Sequence, residues 1–193
     1  RLSFFSAPGD TRANANLGAI EVRATDSLGN IDLSFTASIA LSLNGGHALG
    51  QIYNNVISVA AAGGVAAFGA NLRIDHLGQN YRLRATGGGL ASNSGTFDVT
   101  ADRLIFVNSP SDTRVNRAFA VQPDVVATDG FGDIDTFTAY TITLELTGGT
   151  AGAQLTPVAN TTVAMSSGVA NYTKLEVDTI GSSYRLRATN GLL

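Results

Sequence analysis

The sequence lacks cysteine and tryptophan entirely, and only 14% of its 193 residues are charged. Without cysteine no disulfide can hold the chain together. A domain of about 100 residues needs none, because it can bury an adequate apolar core. The net charge of −3 does not match the basic surface of a nucleic-acid-binding protein. We therefore expect a chain stabilised by its apolar residues, which make up 44% of the sequence, and no nucleic-acid partner.

Long hydrophobic runs are also missing. No uninterrupted apolar segment approaches the roughly 20 residues that a membrane-spanning helix requires, so we expect no membrane insertion. The sequence contains no signal peptide and begins with Arg1 rather than methionine, which favours an interior piece of a longer protein. Glycine is abundant, at 22 residues, together with Thr, Ser, Asn and Ala. This mixture is typical of short strands joined by turns.

The clearest pattern is an internal repeat with a spacing of about 100 residues. The segment Tyr81–Thr86 returns as Tyr184–Thr189, and Asp10–Arg12 returns as Asp112–Arg114. Further matches follow in the same order along the chain. Ala24–Asp26 matches Ala127–Asp129. Leu72 matches Leu175, and Ile74-Asp75 matches Val177-Asp178. Chance does not preserve such an order, so we expect two domains, residues 1–101 and residues 102–193.

Within each repeat, apolar and polar residues alternate with a period of two. In one run Tyr81, Leu83 and Ala85 alternate with Arg82 and Arg84. Such alternation predicts strands buried on one face, and glycine-rich turns separate the runs. The predicted strands of the first repeat lie near residues 2–6, 19–26, 36–43, 48–52, 56–60 with 64–74, 79–87 and 94–100. About seven short strands per 100 residues predict an all-β fold of two tandem immunoglobulin-like β-sandwiches.

A tyrosine near the start of the sixth strand strengthens this prediction. Tyr81 follows the turn after Asp75 and Gly78, as in the tyrosine corner of immunoglobulin-like sandwiches. We expect its hydroxyl to donate a hydrogen bond to backbone a few residues upstream. Tyr184 occupies the same position in the second repeat.

The chain resembles the immunoglobulin-like repeats that occur in tandem in large bacterial surface and secreted proteins. It is similar to the invasin/intimin-type and filamin-type sandwiches. The residues that carry the resemblance are Val22, Ala24, Asp26, Gly29-Asn30, Gly64–Ala66, Phe68, Leu72, Ile74-Asp75, Gly78, Tyr81, Leu83 and Ala85. The resemblance implies non-catalytic structural or spacer repeats of an extracellular or cell-surface protein, forming a rod, fibre or surface layer. Their implied partners are other copies or neighbouring repeats of that protein.

The second repeat ends at Leu193, before the residues that would form its last strand. This strand is therefore expected to be absent, which would leave backbone groups unpaired beside Tyr184–Thr189. Two explanations remain open at this stage. The chain is truncated there, or another chain donates the strand.

Motifs of catalysis are missing, and we expect no enzyme. The sequence contains no G-x-S-x-G elbow, Walker loop or H-E-x-x-H pattern, and its two histidines, His47 and His76, are interpreted as solvated loop residues.

The loops of the two repeats carry aspartates that the expected strand order brings to the junction between the repeats. They are Asp75, Asp102, Asp129, Asp133 and Asp135. Carboxylate oxygens from flexible loops are ligands that Ca²⁺ prefers. These residues therefore form a predicted calcium site, and we expect no other cofactor. The alternative is that each Asp-x-x-Gly motif is a plain turn in which Asp accepts hydrogen bonds from nearby amides.

Two further functions stay open from the sequence. The repeats could serve as an adhesion module that binds carbohydrate or a host receptor, for which Phe131 and Tyr53 are the exposed aromatic candidates. They could also be accessory domains of a larger secreted enzyme.

Arg82 and Arg84 are expected to face solvent, within cross-strand reach of Asp98.

Overall fold

The computed structural model describes residues 1–53 and 57–193 and consists almost wholly of β-strands. The all-β prediction is therefore confirmed. The chain forms two compact units: unit 1 contains residues 1–100 and 129–133, and unit 2 contains residues 101–128 and 134–193. The sequence repeats differ from these units mainly in the loop 129–133.

Unit 1 forms two main sheets from strands with apolar residues on one face. Its described strands are β1 (Leu2–Ser6), β2 (Thr11–Arg12), β3 (Ile20–Ala24), β4 (Ser38–Asn44), β5 (Ile52–Tyr53), β6 (Ser58–Ala60), β7 (Val65–Gly69), β8 (Arg73–Ile74), β9 (Gly78–Gly87), β10 (Leu90–Asn93) and β11 (Phe97–Thr100). One sheet has the order β1-β3-β7, and the other has the order β2-β11-β9-β4-β6, with β10 also pairing with β9. Strands β5 and β8 form a separate two-stranded sheet.

The period of two decides which side chains fill the core of unit 1. Along β9, Tyr81, Leu83 and Ala85 are fully buried, whereas Arg82 and Arg84 are exposed. The other sheet contributes inward residues such as Val22 of β3, so the core is closed from both sides. Because each buried aliphatic or aromatic side chain contributes about 1.5–3 kcal/mol, this alternation supplies the main driving force for folding.

Unit 2 repeats most of this architecture. Its described strands are β12 (Arg103–Asn108), β13 (Asp124–Thr128), β14 (Thr141–Gly148), β15 (Leu155–Thr156), β16 (Thr162–Ala164), β17 (Val169–Asn171), β18 (Glu176–Val177) and β19 (Tyr184–Thr189), with a 3-10 helix at Val158–Asn160. The sheets have the orders β12-β13-β17, β16-β14-β19 and β15-β18. A second apolar core, which includes Val125, Ile142 and Leu175, lies between them.

Three predicted strand boundaries are wrong. The segment 64–74 is two strands, because Gly69 adopts a positive φ of 73° and the chain leaves its sheet there. The segment 94–100 is preceded by β10, and Ser94 interrupts the edge because its hydroxyl accepts a hydrogen bond from the backbone N–H of Leu83 at 2.9 Å. The strand near 48–52 reduces to the short β5. The first residue of the predicted segment 56–60 lies outside the described residues.

The tyrosine corner is confirmed in both repeats. The Tyr81 hydroxyl donates to the carbonyl of His76 at 3.0 Å, and the Tyr184 hydroxyl donates to the carbonyl of Thr179 at 3.0 Å. Burial raises the pKa of Tyr81, which keeps the phenol protonated as a donor. Gly46 and Gly149 lie against the two rings with positive φ, and a Cβ at either position would collide with the tyrosine. These turns therefore require glycine.

Candidate functional site

One edge of β19 in unit 2 is open. Within the described part of the chain, β19 pairs with β14 on one side and with no strand on the other. A groove of about 830 Å³ runs along this open edge. Its lining includes Asp112–Arg114, Phe119, Gly181, Tyr184 and Leu186. The sequence prediction that the second repeat lacks its last strand agrees with this arrangement.

Unit 1 contains a strand at the corresponding place. There β11 lies between β9 and β2, antiparallel to the first and parallel to the second. Phe97 pairs with Tyr81 and Val99 pairs with both Gly78 and Thr11. The strands of unit 1 that have no counterpart among the described strands of unit 2 are β2, β10 and β11, and all three belong to this edge.

The open edge changes the burial of matched side chains. Tyr81 and Leu83 are fully buried in unit 1. Their counterparts Tyr184 and Leu186 are only half-buried. Identical sequence motifs thus have different solvent exposure, and the difference lies on the face that β11 covers in unit 1. A β-strand edge with unpaired backbone and a partly exposed apolar floor can accept an added strand.

Two of the three sequence-predicted aspartates of unit 1, Asp75 and Asp129, accept hydrogen bonds from loop amides. Asp129 Oδ1 accepts from the backbone N–H groups of Phe131 and Asp133, and its Oδ2 accepts from that of Leu77 at 3.0 Å. Asp75 Oδ1 accepts from the N–H of Gln51 at 2.8 Å. Partial burial raises the pKa of Asp75, but the neighbouring His76 side chain and the Gln51 N–H outweigh burial, so the pKa lies below its usual value.

The other two predicted aspartates, Asp102 and Asp135, belong to unit 2. Asp135 is fully buried, and its Oδ2 accepts from the Ala101 N–H at 3.0 Å while its Oδ1 accepts from the Thr138 N–H at 2.9 Å. The two carboxylate oxygens of Asp102 lie 2.6 and 3.1 Å from the guanidinium of Arg103. Only the Asp129 Oδ1 contacts have the pattern of the plain-turn alternative. Calcium binding by the five aspartates stays a prediction.

One of the two histidines, His76, differs from the sequence interpretation. His76 is only 7% exposed, so it is not a solvated loop residue. It lies between the rings of His47 and Phe131, with centroid distances of 4.8 and 4.1 Å. Its Nδ1 is 2.9 Å from Asp75 Oδ1, within ion-pair distance but without hydrogen-bond geometry. A buried stack of this kind gives no signal in the sequence, because its members are far apart along the chain.

The same cluster places three groups that can bind metal close together. The ligand atoms of His47, His76 and Asp133 lie within 4.8 Å of one another, and His47 Nε2 is 3.4 Å from Asp133 Oδ2. The two imidazole planes are only 14° from parallel. Imidazole binds a metal through a lone pair in the plane of its ring, so two rings stacked in this way do not point at one ion. The arrangement favours ring packing.

The other surface predictions have mixed outcomes. Arg82 and Arg84 are exposed as expected, but among the residues described no ion pair joins either of them to Asp98. Instead, Asp98 Oδ1 accepts a hydrogen bond from the Asn80 N–H at 2.8 Å. Phe131 is 64% exposed, as predicted. The prediction for Tyr53 is wrong, because it is half-buried and its hydroxyl bonds to Asn14.

Among the described residues, no helix is long and apolar enough to cross a membrane.

Comparisons with known proteins do not identify a family for the chain. No family model and no curated protein matches the chain. A search of solved structures matches a chimeric titin Z1Z2 functionalised with an exogenous decorin peptide, at 13% sequence identity, covering 99% of this chain and 90% of that chain. Its TM-score is 0.24, and a similarity this low carries no argument about fold or function.

Proposed function

We propose that the two repeats are non-catalytic structural or spacer modules of a bacterial extracellular or cell-surface protein, and that they contribute to a rod, fibre or surface layer. The observation that carries the proposal is the closing of two separate apolar cores by the same inward positions. Val22 and Leu41 fill one core, and Val125 and Leu144 fill the other. A repeated fold whose residues mainly serve packing suits a protein that adds length by adding modules.

Binding of carbohydrate or a receptor receives less support from the described residues. Such sites usually need exposed aromatic side chains grouped on one face. Phe131 is exposed, but one side of its ring stacks on His76, and Tyr53 is half-buried. These two side chains therefore give no reason to prefer adhesion over a structural role.

The location can be tested on intact cells that produce this protein. Antibodies raised against the purified repeats should label these cells without permeabilisation, and external protease should remove the signal. A cytosolic protein of the same cells provides the control, since it should be labelled only after permeabilisation. Labelling of the repeats that also requires permeabilisation would contradict the proposed surface location.

A further inference from the structure

The outer face of the sheet β12-β13-β17 in unit 2 is apolar. Residues that lie directly opposite each other in antiparallel strands share one face of the sheet. Ile105 pairs with Val126, and Val126 pairs with Val169, so these side chains form a row across all three strands. The residues that alternate with them, including Val125 and Ala170, belong to the core. The row therefore lies on the side of the sheet that faces away from the core.

Two more apolar side chains extend this row into a patch. Ile134 forms an isolated antiparallel bridge with Thr128 of β13, which places Ile134 at the end of β13. A Cβ at Gly168 would meet Ile134 Cγ2 at 2.5 Å, so Ile134 also lies beside the start of β17. Val107 follows Ile105 along β12. Ile105, Val107 and Ile134 are 42%, 58% and 43% exposed, and together they give the sheet a contiguous apolar surface.

The matched face of unit 1 carries a cation and a small polar residue instead. The counterpart of Val126 is Arg23, and the counterpart of Ile105 is Ser3. The Arg23 guanidinium lies over the ring of Phe5, 3.1 Å from its centroid. The fold thus tolerates a partly polar outer face, and the apolar residues of unit 2 are not required by it. An exposed apolar patch of this kind indicates contact with another molecule.

The exposure of this face is separate from the open edge beside β19. The sheets β1-β3-β7 and β12-β13-β17 have the same strand order in the two units. Phe5, the counterpart of Val107, is 64% exposed in unit 1, where β11 is present. Exposure at this position is therefore a property of the outer face and does not depend on the strand that pairs with β9.

Charged groups of opposite sign lie at the two ends of the patch. Arg103 begins β12, and its side chain is 48% exposed, whereas that of the neighbouring Asp102 is 15% exposed, so the cation is the accessible member of this pair. At the other end, Asp124 pairs with Asn108 and accepts a hydrogen bond from its side-chain amide at 2.6 Å. Such a face is complementary to itself when a second copy is turned end to end, as a two-fold interface requires.

We propose that this outer face of unit 2 binds the same face of a second copy of the chain. A two-fold axis that crosses the strands at Ile105 lays β12 of one copy antiparallel over β12 of the other. Each Arg103 then lies opposite Asp124 of the second copy, and the apolar side chains between them pack together. Burial of this apolar surface drives the association, and the two charge pairs fix its direction.

This inference rests on the proposed structural role and deepens it, because it names the surface through which copies associate side by side. The experiments below measure association of the purified chain in solution. Surface labelling of cells can therefore fail while association holds, and the reverse, so the two proposals are tested separately.

Sedimentation velocity of the full chain over about 1–500 µM measures the association. We expect a reversible dimer with a Kd of about 10–100 µM, because three exposed apolar side chains per copy make a small contact compared with a standard interface. Ile105→Ser installs the residue that unit 1 has at this position and should raise the Kd at least about tenfold. Phe5→Ser, on the matched face of unit 1, is the control and should leave the Kd unchanged. Thermal melting shows that each variant is folded.

Charge reversal tests the direction of packing. Arg103→Glu and Asp124→Lys should each raise the Kd about three- to tenfold, because each places like charges opposite one another. The two changes in one chain restore opposite signs across the interface and should recover most of the affinity. Loss that the double variant does not recover would contradict the antiparallel arrangement.

Cross-linking gives a direct reading of the contact, since the chain lacks cysteine. Ile105→Cys lies on the expected two-fold axis, and a short bismaleimide, which spans the roughly 10 Å between packed sheets, should link two copies. Phe5→Cys is the control and measures linkage by random collision. A chain that stays monomeric at about 500 µM without linkage above this control overturns the proposal. A dimer that Phe5→Ser abolishes, or that the changes in unit 2 leave intact, overturns it as well.

Discussion

Strand β9 of unit 1 and strand β19 of unit 2 share the sequence Tyr-Arg-Leu-Arg-Ala-Thr but not the same surroundings. In β9 the inward residues are fully buried, and strands pair with both edges. In β19 the same inward residues are half-buried, and within the described residues one edge has no partner strand. The comparison teaches that this motif specifies which side chains point inward, whereas the neighbouring strand decides how much of them is removed from water.

Removing the aromatic side chain of β11 should make unit 1 resemble unit 2. Phe97→Ala is expected to lower the free energy of unfolding of unit 1 by about 3–5 kcal/mol, because Phe97 is 2% exposed and the substitution leaves a cavity. Urea unfolding followed by NMR signals of each unit would measure this effect. Thr96→Ala, at the exposed neighbouring position, is the control and should change stability by less than about 0.5 kcal/mol. An equal effect of both variants would contradict the proposed role of β11.

The two tyrosine corners give a matched pair of substitutions. Tyr81→Phe should destabilise unit 1 by about 1–3 kcal/mol, because it leaves the buried carbonyl of His76 without this donor. Tyr184→Phe should cost less in unit 2, about 0.5–1 kcal/mol, because Tyr184 is half-exposed and water can replace the lost bond. Thermal unfolding of the two variants would compare the losses. A larger loss of stability for Tyr184→Phe than for Tyr81→Phe would contradict this prediction.

Calcium binding, predicted from the aspartates of the loops, can be tested by melting. An ion that binds only the folded state at ten times its dissociation constant adds about 1.4 kcal/mol of stability. The prediction therefore requires the melting temperature to rise with millimolar Ca²⁺, and less so in Asp133→Asn. Magnesium is the control, because it is smaller and loses its water reluctantly. An unchanged melting temperature in Ca²⁺ would contradict the prediction of calcium binding.

The smallest expected effect concerns a loop carboxylate of unit 2. Hydrogen bonds from the Gln154 backbone N–H and the Thr179 hydroxyl hold the pKa of Asp178 below its usual value. A depressed folded-state pKa gives stability that is present above the unfolded pKa of about 3.9 and is lost as the pH falls through the lower folded pKa. Asp178→Asn should therefore reduce the loss of stability between about pH 5 and pH 3. Asp75→Asn should do the same for unit 1. Identical pH profiles for variant and parent would contradict this.

Much of the fold could be predicted because it depends on local patterns. The alternation around Leu83 predicts a strand with one buried face, and the turn before Tyr81 predicts the tyrosine corner. The strand limits were less predictable. The break at Gly69 depends on a backbone conformation, and the interruption at Ser94 depends on a hydrogen bond to Leu83, which is distant in sequence.

The candidate site was predictable only in outline. Residues 102–193 contain no counterpart of β11, which the sequence shows, but the lining of the groove includes Thr113 and Tyr184, which are about 70 residues apart. The burial of His76 between His47 and Phe131 was missed for the same reason, since stacking depends on where loops meet.

By itself, the sequence determined the duplication, the strand-forming segments and the residues that face inward, because these follow from a period of two and from turn chemistry repeated along the chain. Only the tertiary structure decided the burial of matched residues such as Tyr81 and Tyr184, and the walls of the groove beside β19. The physical reason is that burial and edge pairing depend on which strand lies alongside, and that neighbour can be close in space while distant in the chain.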